Sequence, residues 1–307
     1  MDVPASPKPS LHRDWSPPLP IAPGFEHLVI ETPGLRSHVA VMGDGEPVVL
    51  LHGFPQHWWE WRRIAPRLAA HGYRVICPDL RGSGWTEADD PEIGRTSMLA
   101  DLVAVLDVLG VDSAHVVGHD LGAVVAGQVS YAHPERVRSV VQLAVPPGFM
   151  TFSTKLLPAF THMPALLRHR QGRSLSWLFG PQYAAKPLTD DVLDGYLRVQ
   201  ARAGFDAAVR RLYRGMIVPE AIRLSSGYYQ RRRLRPPMLA VFGRQDGPFA
   251  EQTVRRICRG SDRYADRFDL AFVDGAAHFI VDDAPDAVAD LCLDWFARNA
   301  GAAAQRG

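Results

Sequence analysis

The sequence predicts an α/β fold in which a mostly parallel central β-sheet carries helices on both faces and a helical insertion. From Phe25 onward, short apolar runs rich in Val, Ile and Leu alternate with longer segments of helical spacing, which is the pattern of repeated β-α units. Between about 148 and 235 the strand signal disappears, and prolines interrupt a helical spacing. At 307 residues and 47% hydrophobic content, the chain is long enough for one large core that carries such an insertion.

Several segments have the length and composition of strands. They are 27–31, 37–42, 47–52, 74–78, 115–118, 137–144, 238–243 and 269–273. The stretches 47–51 and 238–242 are apolar throughout, which is typical of strands that helices cover on both faces. Helical spacing occurs at 58–71, 97–109, 121–133, 251–259 and 284–298.

The same patterns divide the chain into an arm, a core, a cap and a tail. Residues 1–24 contain seven prolines and little periodicity, so we expect a proline-rich N-terminal arm without regular structure. The core is expected at 25–147 and 236–300, and the residues between them, 148–235, are expected to form a helical cap over the sheet. Residues 301–307 are expected to form a short tail.

Composition argues against several classes of partner. The 34 basic and 33 acidic residues nearly cancel, so we expect no global field that would recruit nucleic acid or an anionic membrane. The arginines at 231–233 and 235 are interpreted as a solvated face. No apolar run approaches the roughly 18 residues that span a bilayer, and the proline-rich start lacks the apolar core of an export signal. No nucleic acid and no membrane span are therefore expected, and a homodimer stays open.

The cysteines and histidines indicate neither a disulfide framework nor a metal site. Three cysteines, Cys77, Cys258 and Cys292, are too few and too scattered for either, and they fit a reducing cytoplasm. No glycine-rich phosphate loop of the Walker type occurs, and the histidines at 52, 57 and 71 lack ligand spacing with a nearby acid. We expect a cytoplasmic protein with no cofactor and no metal.

One motif carries the chemistry. The apolar strand at 115–118 runs directly into Gly118-His119-Asp120-Leu121-Gly122, and a helix of small residues follows. Two glycines around a nucleophile at a strand-to-helix turn form a nucleophile elbow, and the helix N-terminus favours an anion there. A carboxylate with an ordinary pKa of roughly 4 is ionised at pH 7 and needs no base to activate it. The alternative for Asp120 is a plain helix N-cap.

Four motifs together resemble a known family. They are His52-Gly53-Phe54-Pro55-Gln56, Pro78-Asp79-Leu80-Arg81-Gly82, Gly118-His119-Asp120-Leu121-Gly122 and Gly275-Ala276-Ala277-His278-Phe279. With them the chain resembles the α/β-hydrolases over roughly 25–298, and among these the epoxide hydrolases and their haloalkane and haloacid dehalogenase relatives. The resemblance is specific in the core and weak through the cap.

The resemblance implies a covalent mechanism on Asp120. The carboxylate would attack an sp³ carbon and form an alkyl ester, which water activated by His278 would hydrolyse. Members of this fold usually supply the acid that orients the histidine from one of two places. The end of strand 137–144 carries no carboxylate, so Asp246, in the segment after strand 238–243, would orient His278. The backbone N–H groups of Phe54 and Leu121 would stabilise the oxyanion. A turn-forming role for Asp246 and a surface-loop role for His278 are the plainer alternatives.

Ring opening also needs donors to the departing oxygen, and the family supplies two cap tyrosines. Tyr213 matches the second of these, although plain packing is an alternative for it. Phe160 stands where the first is aligned, so His162 is the candidate for the second donor. Trp58, Phe160 and Phe279 are expected to line the substrate pocket.

The expected function is cofactor-independent hydrolysis of a small hydrophobic epoxide by water to a vicinal diol. A dehalogenase with the same ester chemistry is the first alternative, although Leu121 replaces the tryptophan or arginine that such relatives carry there. A non-catalytic protein of this fold that binds a small ligand is the second. A serine esterase is not expected, because no Gly-x-Ser-x-Gly occurs.

Overall fold

The computed structural model describes residues 10–11 and 15–300, and over that part of the chain the strands join into one mixed sheet. The strands are β1 (Ser10–Leu11), β2 (Glu26–Thr32), β3 (Leu35–Met42), β4 (Glu46–Leu51), β5 (Tyr73–Pro78), β6 (Glu87–Ala88), β7 (Ala114–His119), β8 (Val137–Leu143), β9 (Met238–Gly243) and β10 (Phe268–Val273). Every strand predicted from the sequence is present within a few residues. The two-residue strands β1 and β6 were not predicted.

The order of strands across the sheet is β1-β2-β3-β5-β4-β7-β8-β9-β10, and β6 pairs with β3. The pairs from β5 to β10 are parallel, whereas those that involve β1, β2, β3 and β6 are antiparallel. Val48–Leu51 and all of β9 are buried, as the apolar runs predicted. The α/β fold with a mostly parallel sheet is thereby confirmed, and the carboxyl ends of β4, β7, β9 and β10 meet at one edge.

Helices cover the sheet and fill the insertion. They are α1 (Ala65–Ala70), α2 (Arg95–Val108), α3 (Leu121–Ala132), α4 (Met163–Leu167), α5 (Asp190–Leu197), α6 (Phe205–Leu212), α7 (Val218–Ser225), α8 (Glu251–Ile257), α9 (Ile280–Asp283) and α10 (Pro285–Asn299). The helix predicted at 58–71 is a 3-10 segment, Trp58–Arg63, followed by α1. The short helix α9 was not predicted. In the described part of the chain, no helix is both long and apolar enough to cross a membrane.

The segment between β8 and β9 contains α4 to α7 and several 3-10 turns, and no strand is described within it. The boundaries 148–235 for the cap stay a prediction. A buried network of polar groups fixes this segment to the core: Arg62 donates to the Tyr196 hydroxyl and to Asp282, at 2.8 Å each, and the Tyr196 hydroxyl donates to the other Asp282 oxygen at 2.8 Å. Because the three groups satisfy one another, they form a well-defined contact between the cap and the core.

The N-terminal arm is bound to the core where it is described. Ser10 and Leu11 pair with the edge strand β2, so the prediction of an arm without regular structure was wrong at these two residues. An edge strand offers unpaired backbone groups that a passing segment can use. The indole N–H groups of Trp85 and Trp59 donate to the carbonyls of Pro17 and Ile21 at 2.6 and 2.9 Å. Residues 1–9 and 12–14 of the arm and the predicted tail at 301–307 lie outside the described residues.

A buried carboxylate organises the loops that follow β4 and β5. Asp79 accepts hydrogen bonds from the backbone N–H groups of Trp58 and Trp85, at 2.8 and 2.9 Å, and from Nδ1 of His38 at 2.7 Å. Burial alone would raise the pKa of Asp79, but His38 and its neighbours hold that pKa well below its usual range. An ionised Asp79 therefore joins three separate stretches of backbone beneath the edge that carries the site.

The buried His57 gives the fold a pH dependence that can be measured. Burial lowers the pKa of His57 from 6.5 to about 4, whereas the unfolded chain takes up that proton near 6.5. The stability that His57 contributes is therefore present above pH 6.5 and is lost as the pH falls towards 4. A shift of this size corresponds to at most roughly 3 kcal/mol.

We therefore expect His57→Gln to flatten the decline of the unfolding free energy over that interval, as measured by urea denaturation at several pH values. His71→Gln, which changes an exposed histidine, is the matched control and should keep the decline of the wild type. An identical pH dependence in His57→Gln and wild type would contradict the assignment.

Candidate active site

Asp120 lies in a tight turn between β7 and α3, at the carboxyl edge of the sheet. Its backbone has φ +47° and ψ −112°, a strained conformation that non-glycine residues rarely adopt. The glycines on either side make the turn feasible: a Cβ at Gly118 would lie 2.2 Å from the Gly122 carbonyl oxygen, and a Cβ at Gly122 would lie 1.9 Å from the Leu51 carbonyl oxygen. The turn therefore projects the Asp120 side chain beyond the sheet, as expected of a nucleophile elbow.

His278 bridges two carboxylates. Its Nε2 lies 3.4 Å from Oδ2 of Asp120, and its Nδ1 lies 3.3 Å from Oδ2 of Asp246. Asp246 follows β9 and its side chain is fully buried, whereas His278 follows β10. The three residues predicted to form the triad are thus brought together at the carboxyl ends of β7, β9 and β10.

The charged groups of this cluster stabilise the ionised forms of Asp120 and His278. Burial alone would lower the pKa of His278, but the hydrogen bonds to Asp120 and Asp246 outweigh it and raise that pKa to about 10. Burial would likewise raise the pKa of Asp120, but His278 holds it well below its usual range. Asp120 is therefore an anion next to an imidazolium at neutral pH.

Of the two backbone donors expected for an oxyanion hole, the Phe54 N–H contacts Asp120 directly. The Phe54 N–H, after β4, donates to Oδ1 of Asp120 at 2.9 Å. Leu121 is the first residue of α3, and a helix N-terminus leaves such N–H groups without an intrahelical acceptor. Oδ1 is thus held by the Phe54 N–H, and Oδ2 lies on the side of His278.

A cavity between the sheet edge and the cap opens onto Asp120. The space open to the centre of a water molecule is about 120 Å³. Its polar lining groups near Asp120 are His278, His162, Tyr183 and Tyr213, while Phe160, Val124, Leu156, Met163 and Phe249 are among the apolar ones. An apolar cavity with a few convergent polar groups is typical of small-molecule sites.

Two of the three aromatic residues predicted to line the pocket do not do so. Trp58 is fully buried in the core, where it stacks edge-on against Phe25 and His27. Phe279 points away from the cavity and stacks on Phe179 with ring centres 4.9 Å apart. The physical reason is that both side chains complete hydrophobic clusters beneath the site. Phe160 does line the cavity.

The cap contributes Tyr213, His162 and a residue that the sequence did not reveal. Tyr213 begins a π-helical turn, Tyr213–Ile217, between α6 and α7, and its ring centre lies 5.8 Å from that of His162 and 5.7 Å from that of Phe54. Tyr183 lies in a turn before α5, and its hydroxyl is 3.4 Å from Nδ1 of His162. In the sequence, Tyr183 is distinguished only by its position between two prolines, and that signal is not specific for a site residue.

Each of these cap groups is uncharged. Burial raises the pKa of Tyr213 well above its usual range and also raises that of Tyr183, and the nearby Asp120 charge acts in the same direction. Burial lowers the pKa of His162. Two phenols and one neutral imidazole therefore face the cavity as hydrogen-bond donors.

The loop that carries His278 is fixed from behind by groups that the sequence analysis missed. The His278 N–H donates to the Tyr183 carbonyl at 2.9 Å. The buried His119 donates from Nε2 to the His278 carbonyl at 2.9 Å, and its Nδ1 lies 3.4 Å from the buried Glu60 carboxylate. Glu60 also accepts from the Gly53 N–H at 3.1 Å, so it joins the oxyanion loop to the histidine loop.

No metal site accompanies the cluster in the part of the chain that is described. Between residues 15 and 300, no three His, Cys, Asp or Glu side chains lie close enough together to hold a metal ion. The cysteines are free and buried.

Comparisons with known proteins identify the family. The family model of the alpha/beta hydrolase fold matches residues 46–285. Epoxide hydrolase 3 of Siraitia grosvenorii is 42% identical over 123 residues, but the match spans only 39% of either chain. The AB hydrolase superfamily protein YfhM of Bacillus subtilis is 28% identical over 89% of this chain and 98% of its own. The solved structure of a "putative epoxide hydrolase" from Pseudomonas aeruginosa has 30% identity and a TM-score of 0.75, and the match covers 92% of this chain and 99% of that one.

Together, these matches cover most of the chain. The family model alone spans most of the chain, and the Pseudomonas structure extends the likeness through the cap segment. The chain belongs to the α/β-hydrolase fold family, in its epoxide hydrolase branch.

Proposed function

We propose that the protein hydrolyses an epoxide to a vicinal diol through a covalent ester on Asp120. The observation that carries the proposal is a carboxylate at an elbow, next to a histidine that a second carboxylate holds, inside an apolar cavity that neutral hydrogen-bond donors also line. Relatives named as epoxide hydrolases support the same reaction. The three epoxide hydrolases of Siraitia grosvenorii are matched over only 39% of their length, so the activity of this chain is inferred from its own site as well.

In the first step, Oδ2 of Asp120 attacks one epoxide carbon and the carbon–oxygen bond of the ring breaks. The departing oxygen accepts hydrogen bonds from Tyr213 and His162, and the Tyr213 hydroxyl gives its proton to the alkoxide. The phenolate left on Tyr213 takes up the proton that His278 releases once the Asp120 charge is gone, so that both groups are neutral before the ester is hydrolysed. The Tyr183 hydroxyl lies close enough to Nδ1 of His162 to hydrogen-bond to it and orient its ring. The product of this step is an alkyl ester between the substrate and Asp120.

In the second step, His278 removes a proton from water, which attacks Cγ of Asp120. The ester has lost the Asp120 charge that raised the pKa of His278, so we expect that pKa to fall and a neutral imidazole to become available as a base. Asp246 keeps Nδ1 protonated and stabilises the cation that forms. The oxyanion on Oδ1 accepts from the Phe54 and Leu121 N–H groups, each worth roughly 3 kcal/mol in other oxyanion holes. The bond between Cγ and the alkyl oxygen then breaks and releases the diol.

The carboxylate of Asp120 is the first test. We expect the purified protein to convert epoxides to diols and Asp120→Ala to lose at least roughly 10⁴-fold in turnover, because the nucleophile is gone. Diol formation is measured by chromatography over aliphatic, styrene-type and polycyclic epoxides, with haloalkanes and haloacetate assayed for halide in parallel.

The thermal unfolding midpoint serves as the control for folding. Alanine at position 120 keeps the positive φ, so the backbone strain is unchanged and we expect an unfolding midpoint near that of the wild type. Halide release without diol formation would favour a dehalogenase. Ligand-induced thermal stabilisation without turnover of any substrate would favour a non-catalytic binding protein.

Loss of the base should trap the ester. We expect His278→Gln to form the ester but to hydrolyse it roughly 10²- to 10⁴-fold more slowly, since general-base catalysis is removed. Intact mass then increases by one substrate, and the increase maps to the peptide that contains Asp120. His133→Gln, a histidine remote from the cavity, should retain no adduct.

A single turnover of the wild type in heavy-oxygen water completes this test. The isotope should enter the Asp120 carboxylate before it enters the product. Heavy oxygen that appears first in the diol would mean direct attack of water on the epoxide.

The phenol of Tyr213 is expected to act in ring opening. Tyr213→Phe should lower the rate of ester formation by roughly 10²- to 10³-fold while ester hydrolysis changes much less, because the donor faces only the epoxide oxygen. Rapid-quench measurement of the Asp120 adduct separates the two steps. Tyr228→Phe is the control, since Tyr228 lies outside the cavity and packs on Tyr229. Equal rates of ester formation in Tyr213→Phe and wild type would reduce Tyr213 to a packing residue.

A further inference from the structure

The near neutrality of the chain conceals a strong separation of charge. Residues 148–235 contain 15 Lys or Arg and 5 Asp or Glu, a net charge of +10. The rest of the chain contains 19 basic and 28 acidic residues, a net charge of −9. The expectation that no field would recruit an anionic surface used only the total, and a patch acts within a Debye length of about 8 Å at physiological ionic strength.

Three of these arginines form a face that no acidic group among the described residues neutralises. Arg168, Arg170 and Arg173 are exposed and line a shallow depression together with Trp177; we call these four residues the arginine face. Within residues 15–300, none of the three guanidinium groups takes part in an ion pair. Asp206, the acidic residue next to the loop, is already engaged, since it contacts Nε2 of His169 at 2.7 Å and accepts from the Gly172 N–H at 3.1 Å.

The same segment exposes apolar side chains. Among the described residues, the large hydrophobic side chains with high exposure are Ile21, Leu157, Trp177 and Ile222, and all but Ile21 lie in 148–235. Trp177 is 42% exposed, Leu157 is 55% exposed and Ile222 is 61% exposed. Trp177 is the one of these that lines the depression of the arginine face.

We propose that the arginine face binds the surface of an anionic lipid bilayer. Guanidinium groups attract lipid phosphates, and an interfacial tryptophan inserts at the headgroup level. A nucleic acid is the less suitable partner, because single-stranded binding needs several aromatic platforms and the depression holds only Trp177. The bilayer is also where an apolar ligand of this cavity would accumulate. The proposal does not depend on which reaction the site performs.

Vesicle binding tests the proposal directly. The full-length protein is sedimented with phosphatidylcholine vesicles that contain or lack phosphatidylglycerol, at low and at high salt. We expect binding only to the anionic vesicles, with an affinity that falls as salt rises. The triple variant Arg168→Glu/Arg170→Glu/Arg173→Glu should bind at least roughly 100-fold more weakly, since each basic residue near the surface contributes several-fold. Trp177→Ala should weaken binding most visibly at high salt.

The matched control changes the same charge elsewhere. Arg63→Glu/Arg256→Glu/Arg259→Glu alters three exposed arginines of the core and should bind nearly as well as the wild type. Turnover of a water-soluble substrate verifies that each variant is folded, and the single variant Arg170→Glu replaces the triple if that one fails to fold. Equal losses in the two triple variants, no binding to anionic vesicles at low salt, or tighter binding to single-stranded DNA than to vesicles would each overturn the proposal.

Discussion

An ionised carboxylate held inside an apolar cavity is the constraint on which this structure depends. Burial by itself would raise the pKa of Asp120 and disfavour its charged form, so the fold must supply compensating groups. The Phe54 N–H and the His278 imidazole provide them, and they come from loops after two different strands. The strained turn at Asp120 is possible because Gly118 and Gly122, which have no Cβ, let the backbone segments around it approach closely. Loss of either loop would therefore change the charge of Asp120 as well as the geometry of the site.

The groups behind the site explain how the loops keep their positions. Glu60 accepts from Gly53 in the oxyanion loop and contacts His119, which in turn donates to the carbonyl of His278. Burial raises the pKa of Glu60, and that carboxyl group raises the pKa of His119 in spite of the burial of the imidazole. Glu60 and His119 thus each favour the charged form of the other, behind Asp120. A buried pair of this kind defines a unique arrangement more than it adds stability.

The sequence was sufficient where local chemistry determines structure. The strands follow from apolar runs, and the elbow follows from two glycines around Asp120. Asp246 and His278 required the resemblance to a family, because only the fold brings their loops together. Tyr183 and Glu60 could not be predicted, since their roles arise from contacts with residues far along the chain. Trp58 and Phe279 were misassigned because an aromatic residue beside a catalytic motif can serve the core as well as the cavity, and sequence does not give its direction.

The cap combines the chemistry of the cavity with the charge of the outer surface in one unit. Arg210 on α6 donates to the His169 carbonyl at 2.9 Å, so the loop of the arginine face is attached to the helix that leads into Tyr213. Movement of that unit against the core is opposed by the contact of Tyr183 with His278 and by the network of Arg62, Tyr196 and Asp282. A ligand on the arginine face can change the reaction only to the extent that it moves this loop and α6 relative to the core. Contact with a bilayer would therefore concentrate the protein near apolar substrate and leave the geometry of the donors unchanged.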